Sequence, residues 1–118
     1  MVLVDTSIWV EHFRQGNKEL SDLLTQIQAI THPFVVGELA CGNLKNRKEI
    51  LSLFSELPQA VIAEHDEVLS LVENKSLMGH GIGWIDAHLL ASALLTGAPL
   101  WTKDKRLRSL AAALNVLY

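Results

Sequence analysis

The chain predicts an α/β fold: a three-layer α/β/α sandwich with a short parallel sheet. Three observations carry that expectation. Short apolar runs of strand length alternate with helical patterns along the sequence, the mark of βαβ units. The first run, Val2–Val4, is apolar throughout rather than alternating, as a strand covered on both faces requires. The chain has 118 residues, 49% of them apolar. That suits a single domain over residues 1–118 with a core that needs no covalent staples.

The elements follow in order. Residues 2–4 form a short β-like run. Residues 7–14 and 18–28 read as helices, separated by the break Gln15-Gly16-Asn17. Residues 29–31 are a second strand. Pro33 stands where a helix favours its first residue, and that helix continues to Cys41 and stops at Gly42. Residues 46–56 give another helix, and 59–63 a β-branched run after Pro58. Residues 65–77 are amphipathic, with Val68, Leu69, Leu71 and Val72 on the apolar side. Residues 78–83 are a glycine-rich connection. Residues 84–95 are helical and apolar nearly all round, which predicts burial. After the turn Gly97-Ala98-Pro99 come a strand at 100–102, a helix at 105–114 and a last strand at 116–118.

Composition excludes several classes. A lone cysteine, Cys41, forbids an intrachain disulfide and suits a reducing, cytoplasmic setting. The N-terminus lacks the basic region of a signal peptide. The longest apolar tract, 89–101, is interrupted by Thr96, Gly97 and Pro99 and is too short to span a bilayer. Net charge is −3, unlike a strongly basic nucleic-acid binder. The basic residues are nevertheless clustered, with Lys45, Arg47 and Lys48 in one group and Lys103, Lys105, Arg106 and Arg108 in another. The second group brackets Asp104. It reads either as a phosphate-seeking rim or as a solvated helix face.

Four acids stand out because each has an apolar setting. Asp5 ends the first apolar run, and Glu38 is the only charge in 33–42. Asp86 is the only acid in 84–95, and Asp104 follows Pro99-Leu100-Trp101-Thr102-Lys103. A carboxylate near a core is costly unless paired, yet no Lys or Arg lies in the runs around Glu38 or Asp86. Hard divalent cations accept several such oxygens, which points to metal-dependent hydrolysis. Ligands of parallel sheets bind beyond the carboxyl ends of strands, where Asp5 and Asp104 fall. The plainer reading makes Asp5 and Asp104 helix N-caps. Glu38 is expected to face inward, given Phe34, Val35 and Cys41 at helical spacing.

Other chemistries find less support. His12, His32, His65, His80 and His88 have no zinc-type spacing. His32 and His65 read as element-boundary residues, and His80 lies in the glycine loop, within reach of a substrate at Asp86. Trp9, Trp84 and Trp101 read as core residues. Ser7 is in no nucleophile elbow, and no phosphate-cradling loop ends in Lys-Ser or Lys-Thr. A receiver domain needs paired acids after the first strand, where Asp5 is followed by Thr6-Ser7. A dehalogenase-like phosphatase needs Asp-x-Asp there, and Ser7 holds the second position.

The motifs Val4-Asp5-Thr6-Ser7, Gly37-Glu38-Leu39, Ile85-Asp86-Ala87 and Thr102-Lys103-Asp104 resemble those of the PIN-domain nucleases. The wording Pro33-Phe34-Val35-Val36-Gly37-Glu38 and Gly83-Trp84-Ile85-Asp86-Ala87-His88-Leu89 is similar to the VapC-type toxins of bacterial toxin–antitoxin pairs. The resemblance implies a PIN-like fold and Mg²⁺- or Mn²⁺-dependent cleavage of single-stranded or loop RNA, with tRNA or rRNA as targets. It also implies a homodimer and neutralisation by a VapB-like antitoxin. Asp5 and Asp86 would be direct metal ligands, with Glu38 and Asp104 completing the set. Thr6 and Thr102 would supply supporting hydroxyls, and Lys103, Lys105, Arg106 and His80 would touch RNA. A PIN-like interaction module without catalysis is the alternative.

Overall fold

The structure is a computed structural model and describes all of residues 1–118. Its elements are β1 (Val2–Val4), α1 (Thr6–Gln15), α2 (Lys18–Thr25), β2 (Ala29–Ile30), α3 (Pro33–Cys41) and α4 (Arg47–Glu56). Then follow α5 (His65–Asn74), α6 (Trp84–Thr96), β3 (Leu100–Trp101) and α7 (Lys105–Ala113). The sheet is parallel, in the order β2-β1-β3. Leu3 lies beside Ile30 on one side and Leu100 on the other. All three residues of β1 are buried. Since successive strand side chains point to opposite faces, both faces of the sheet are covered, as the α/β/α expectation requires.

Two expected strands are reduced to single parallel bridges that widen the sheet at its edges. Gln59 bridges Thr31, and Leu117 bridges Leu100. Beyond Gln59 the chain leaves the sheet because Val61 N donates to Thr96 Oγ1 at 2.9 Å. At the other edge β3 has only two residues, so Leu100 alone exchanges bonds with Val116 and Tyr118.

Helix ends follow local chemistry. Pro33 opens α3 behind the N-cap His32, and Gly97, at φ +71°, closes α6 in the left-handed conformation. That conformation suits glycine, which has no Cβ to clash. The burial expected of the α6 region holds only for Ala87–Ala93, since Trp84, Leu94 and Leu95 are exposed. Helix α5 packs on α6, where Ala87 and Ala91 meet Ala63 and Val68. Helices α1, α3 and α4 pack together. The chain leaves β1 for β2 on one side and later reaches β3 on the other. The carboxyl end of β1 is therefore the switch point where open α/β sheets offer a crevice.

Candidate active site

Asp5 occupies that switch point. Its backbone N–H donates to Trp101 O at 2.9 Å, prolonging the sheet by one bond. It stands at the N-cap position of α1, but its carboxylate caps nothing. Instead Oδ2 accepts from Thr102 Oγ1 at 2.7 Å and from Ser7 Oγ at 2.9 Å. Ser7 Oγ also stitches the loop after β3 to α1 by accepting from Lys103 N at 3.0 Å, and within that loop Asp104 N donates to Thr102 Oγ1 at 3.1 Å. Asp5 is only 7% exposed, and two donors on one oxygen are what a buried carboxylate needs. Oδ1 has no partner within the chain.

The other three acids arrive from different elements. Glu38 on α3 accepts from Thr6 Oγ1 at 3.1 Å. Asp104 Oδ1 caps α7 by accepting from Leu107 N at 3.0 Å. Its N-cap reading is therefore correct, with Oδ2 uncommitted. Asp86 lies in the first turn of α6. Burial is the main force raising its pKa, opposed by a backbone bond from Gly83. The charges of Asp5, Asp104 and Glu38 each raise it further. One field thus joins all four acids, although they come from widely separated parts of the chain.

Two expectations need correction. Only Asp5 is buried: Asp86 is half-buried, and Glu38 and Asp104 are exposed. Helix α3 buries Val35 and Leu39, and one residue's step of about 100° around a helix carries Glu38 to the edge of that stripe. The basic rim is also thinner than expected. Lys103 Nζ is held by Glu11 Oε1 at 2.9 Å, and Arg108 Nη1 by Thr102 O at 3.2 Å. His80 is exposed and bonds Ser76 O at 3.0 Å through Nε2. Lys105 and Arg106 are exposed near Asp104.

The residues present fit a hard divalent cation. The donors are carboxylate oxygens with hydroxyl support, the type such ions take. The charged form of Asp86 is disfavoured by the other three acids. The two ion pairs of the molecule, Lys18–Asp22 and Lys103–Glu11, leave all four without a cation. They are not a ready-made cage, because no three His, Cys, Asp or Glu side chains are drawn together tightly enough to hold an ion. A bound ion would have to pull the carboxylates inward.

Sequence reasoning missed Ser7 as a support for Asp5. Its only signal is its place two residues beyond the acid, which equally suits a helix cap. It also missed a cleft of about 600 Å³ beside Glu38 and Thr6, with Arg14 and Lys45 on its walls. Nothing local links Arg14 to Glu38, for α1 and α3 meet only in the fold.

The PIN domain family model matches residues 2–113. Two relatives, each a "Ribonuclease VapC32" from Mycobacterium tuberculosis (strains CDC 1551 / Oshkosh and ATCC 25618 / H37Rv), are 48% identical over 117 residues. That span covers 98% of this chain and 94% of each relative. Among solved structures, a toxin–antitoxin complex from Klebsiella pneumoniae contains a chain that aligns with a TM-score of 0.66 at 21% identity. The alignment covers 88% of this chain and 87% of that one, and it speaks for the fold.

Proposed function

This chain belongs to the PIN-domain family, and from that premise we propose that it is a Mg²⁺- or Mn²⁺-dependent endoribonuclease, the toxin of a toxin–antitoxin pair. The relatives named as ribonucleases support the reaction class at 48% identity over nearly the whole chain. The observation that carries the site assignment is Asp86, whose carboxylate lies in the combined field of Asp5, Asp104 and Glu38.

Asp5 and Asp86 are the direct ligands in this reading, with the uncommitted Oδ2 of Asp104 completing the set. The chemistry that a divalent ion held by these residues would supply is a water of lowered pKa and neutralisation of charge on the phosphate and the leaving oxygen. Ser7 and Thr102 fix one oxygen of Asp5 and leave Oδ1 available. Thr6 holds one oxygen of Glu38, leaving the other to orient the attacking water and accept its proton. Single-stranded or loop RNA, as in tRNA or rRNA, suits an open site because its backbone and bases are accessible. Lys105, Arg106 and His80 form the phosphate-facing rim, and Lys103 joins it only by giving up Glu11.

Two apolar surfaces support the proposed partners. Val61, Ile62, Leu69, Leu94 and Leu95 are exposed on α5, α6 and the segment that leads into α5, which suits a homodimer. A separate groove of about 450 Å³ runs among α1, α2 and α4, lined by Trp9, Phe13, Ile27, Leu53 and Phe54 among others. It suits an amphipathic segment of a VapB-like antitoxin. No helix is long and apolar enough to cross a membrane, and a cytoplasmic location belongs to the same reading.

The test is cleavage of host RNA by purified protein. Activity should vanish in EDTA, return with Mg²⁺ or Mn²⁺, and be absent in Asp86→Asn with either metal. Wild-type protein that binds metal and cuts no RNA would leave an interaction module as the reading.

A further inference from the structure

We propose that His80, Lys105 and Arg106 form a cleft that grips an RNA phosphodiester next to the one being cut, with Arg106 held in position by Gly81. This rests on the nuclease reading and assigns the grip to one place. Of the four basic residues in 103–108, Lys103 and Arg108 are occupied by Glu11 and Thr102 O. The hydrogen bonds and ion pairs of the chain use neither the Lys105 ammonium nor the Arg106 guanidinium.

Arg106 is nevertheless not loose. Gly81 has φ +78°, and a Cβ there would stand 2.8 Å from Arg106 Nη1, 2.9 Å from Cδ and 3.0 Å from Nε. The arginine therefore lies against the Gly81 backbone, where a larger residue is disfavoured by the positive φ and would push the Arg106 side chain out of its place. This contact is a van der Waals approach, and no hydrogen bond within the chain uses the Arg106 N–H donors. A guanidinium held that way is ready for the two-pronged contact phosphate accepts, with little ordering left to do on binding.

Arg106 lines a cleft of about 230 Å³ with His80, Lys105, Ser109 and Leu110. The lining includes two cations, an imidazole, a hydroxyl and no acid, the reverse of the neighbouring site. His80 is located by its bond to Ser76 O and by Gly79 and Gly81, both at positive φ. Arg106 is two residues beyond Asp104, and Gly81 five before Asp86. The clamp therefore joins the two segments that deliver those acids, and the cleft adjoins them.

The experiment measures binding of a fluorescent single-stranded RNA to the Asp86→Asn protein across a salt series. Arg106→Ala should weaken binding about tenfold, as loss of a charge-assisted contact does, and lower the slope of log K against log salt by about 0.7. Gly81→Ala should weaken binding with net charge unchanged, and Arg106→Lys should fall between wild type and alanine. Lys18→Ala, outside the cleft lining and paired with Asp22, should change nothing. Unchanged affinity and slope in Arg106→Ala, or no RNA binding by the Asp86→Asn parent, would overturn the proposal. Loss of binding only to a partner protein would also overturn it. Unchanged affinity in Gly81→Ala would remove the clamp. Wild-type protein that cuts no RNA while Arg106→Ala still weakens binding would defeat the nuclease reading and leave this cleft standing.

Discussion

Asp5 and His32 are both buried, and the fold keeps each by a different device. Two hydroxyls serve one oxygen of the Asp5 carboxylate. Thr102→Val keeps the volume and removes one of them. It should weaken metal binding and lower kcat by about 10- to 100-fold, as loss of a ligand's hydrogen-bond partner does, read by Mn²⁺ titration and single-turnover cleavage. His32 is instead held neutral. Its Nδ1 accepts from Phe34 N at 3.0 Å, so the ring proton sits on Nε2, which donates to Ser92 Oγ at 3.1 Å. Burial, helped by nearby His88, lowers its pKa from 6.5 to about 4. The unfolded chain then binds the proton that the fold refuses. Stability is full above pH 6.5 and falls as pH drops toward 4, by about 3 kcal/mol in all. Urea unfolding at pH 7 and pH 4.5 should show the fall, and His32→Gln should flatten it. Asp86 has the opposite sign, because its raised pKa means the fold disfavours its charge. Asp86→Asn should melt higher than wild type in EDTA at pH 7 and lose the stabilisation that metal gives wild type.

At the scale of elements, sequence periodicity located every helix, matched α3 at both ends and missed at least one end of each of the others. The helix expected over 18–28 stops at Thr25, and Ile27 turns to φ +55°. A β-branched residue is strained there, and at 65% exposure Ile27 has little burial to offset the strain. Ile27→Asn, which tolerates this conformation, should stabilise the protein by about 1 kcal/mol. It should also weaken antitoxin binding if the groove containing Ile27 is the docking site. Thermal melts and a binding titration read the two effects separately. Glu38 shows why orientation was less legible than position. Its apolar neighbours at helical spacing argued for burial, but Val35 and Leu39 define the buried stripe and leave Glu38 at its edge, within reach of Thr6.

For the whole molecule, the exposed apolar residues on α5, α6 and 61–62 are the expected seam between two copies. Leu94→Glu with Leu95→Glu should give monomer in analytical ultracentrifugation, with an unchanged circular-dichroism spectrum. The substituted positions lie at the exposed end of α6, beyond its buried stretch at Ala87–Ala93. A double variant that remains dimeric would move the seam elsewhere.

The sequence by itself determined the layer order and the parallel sheet, and it singled out the four acids as candidates. Strand burial, helical period and the absence of nearby cations are local properties, written in consecutive residues. Only the tertiary structure decided which groups serve those acids. Ser7 and Thr102 meet on Asp5 from 95 residues apart, Glu11 takes Lys103 out of the basic rim, and Gly81 lies under Arg106. Each is a contact between elements brought together by the order β2-β1-β3. No spacing along the chain encodes such contacts, because they depend on which helix faces cover the sheet and on where each strand ends.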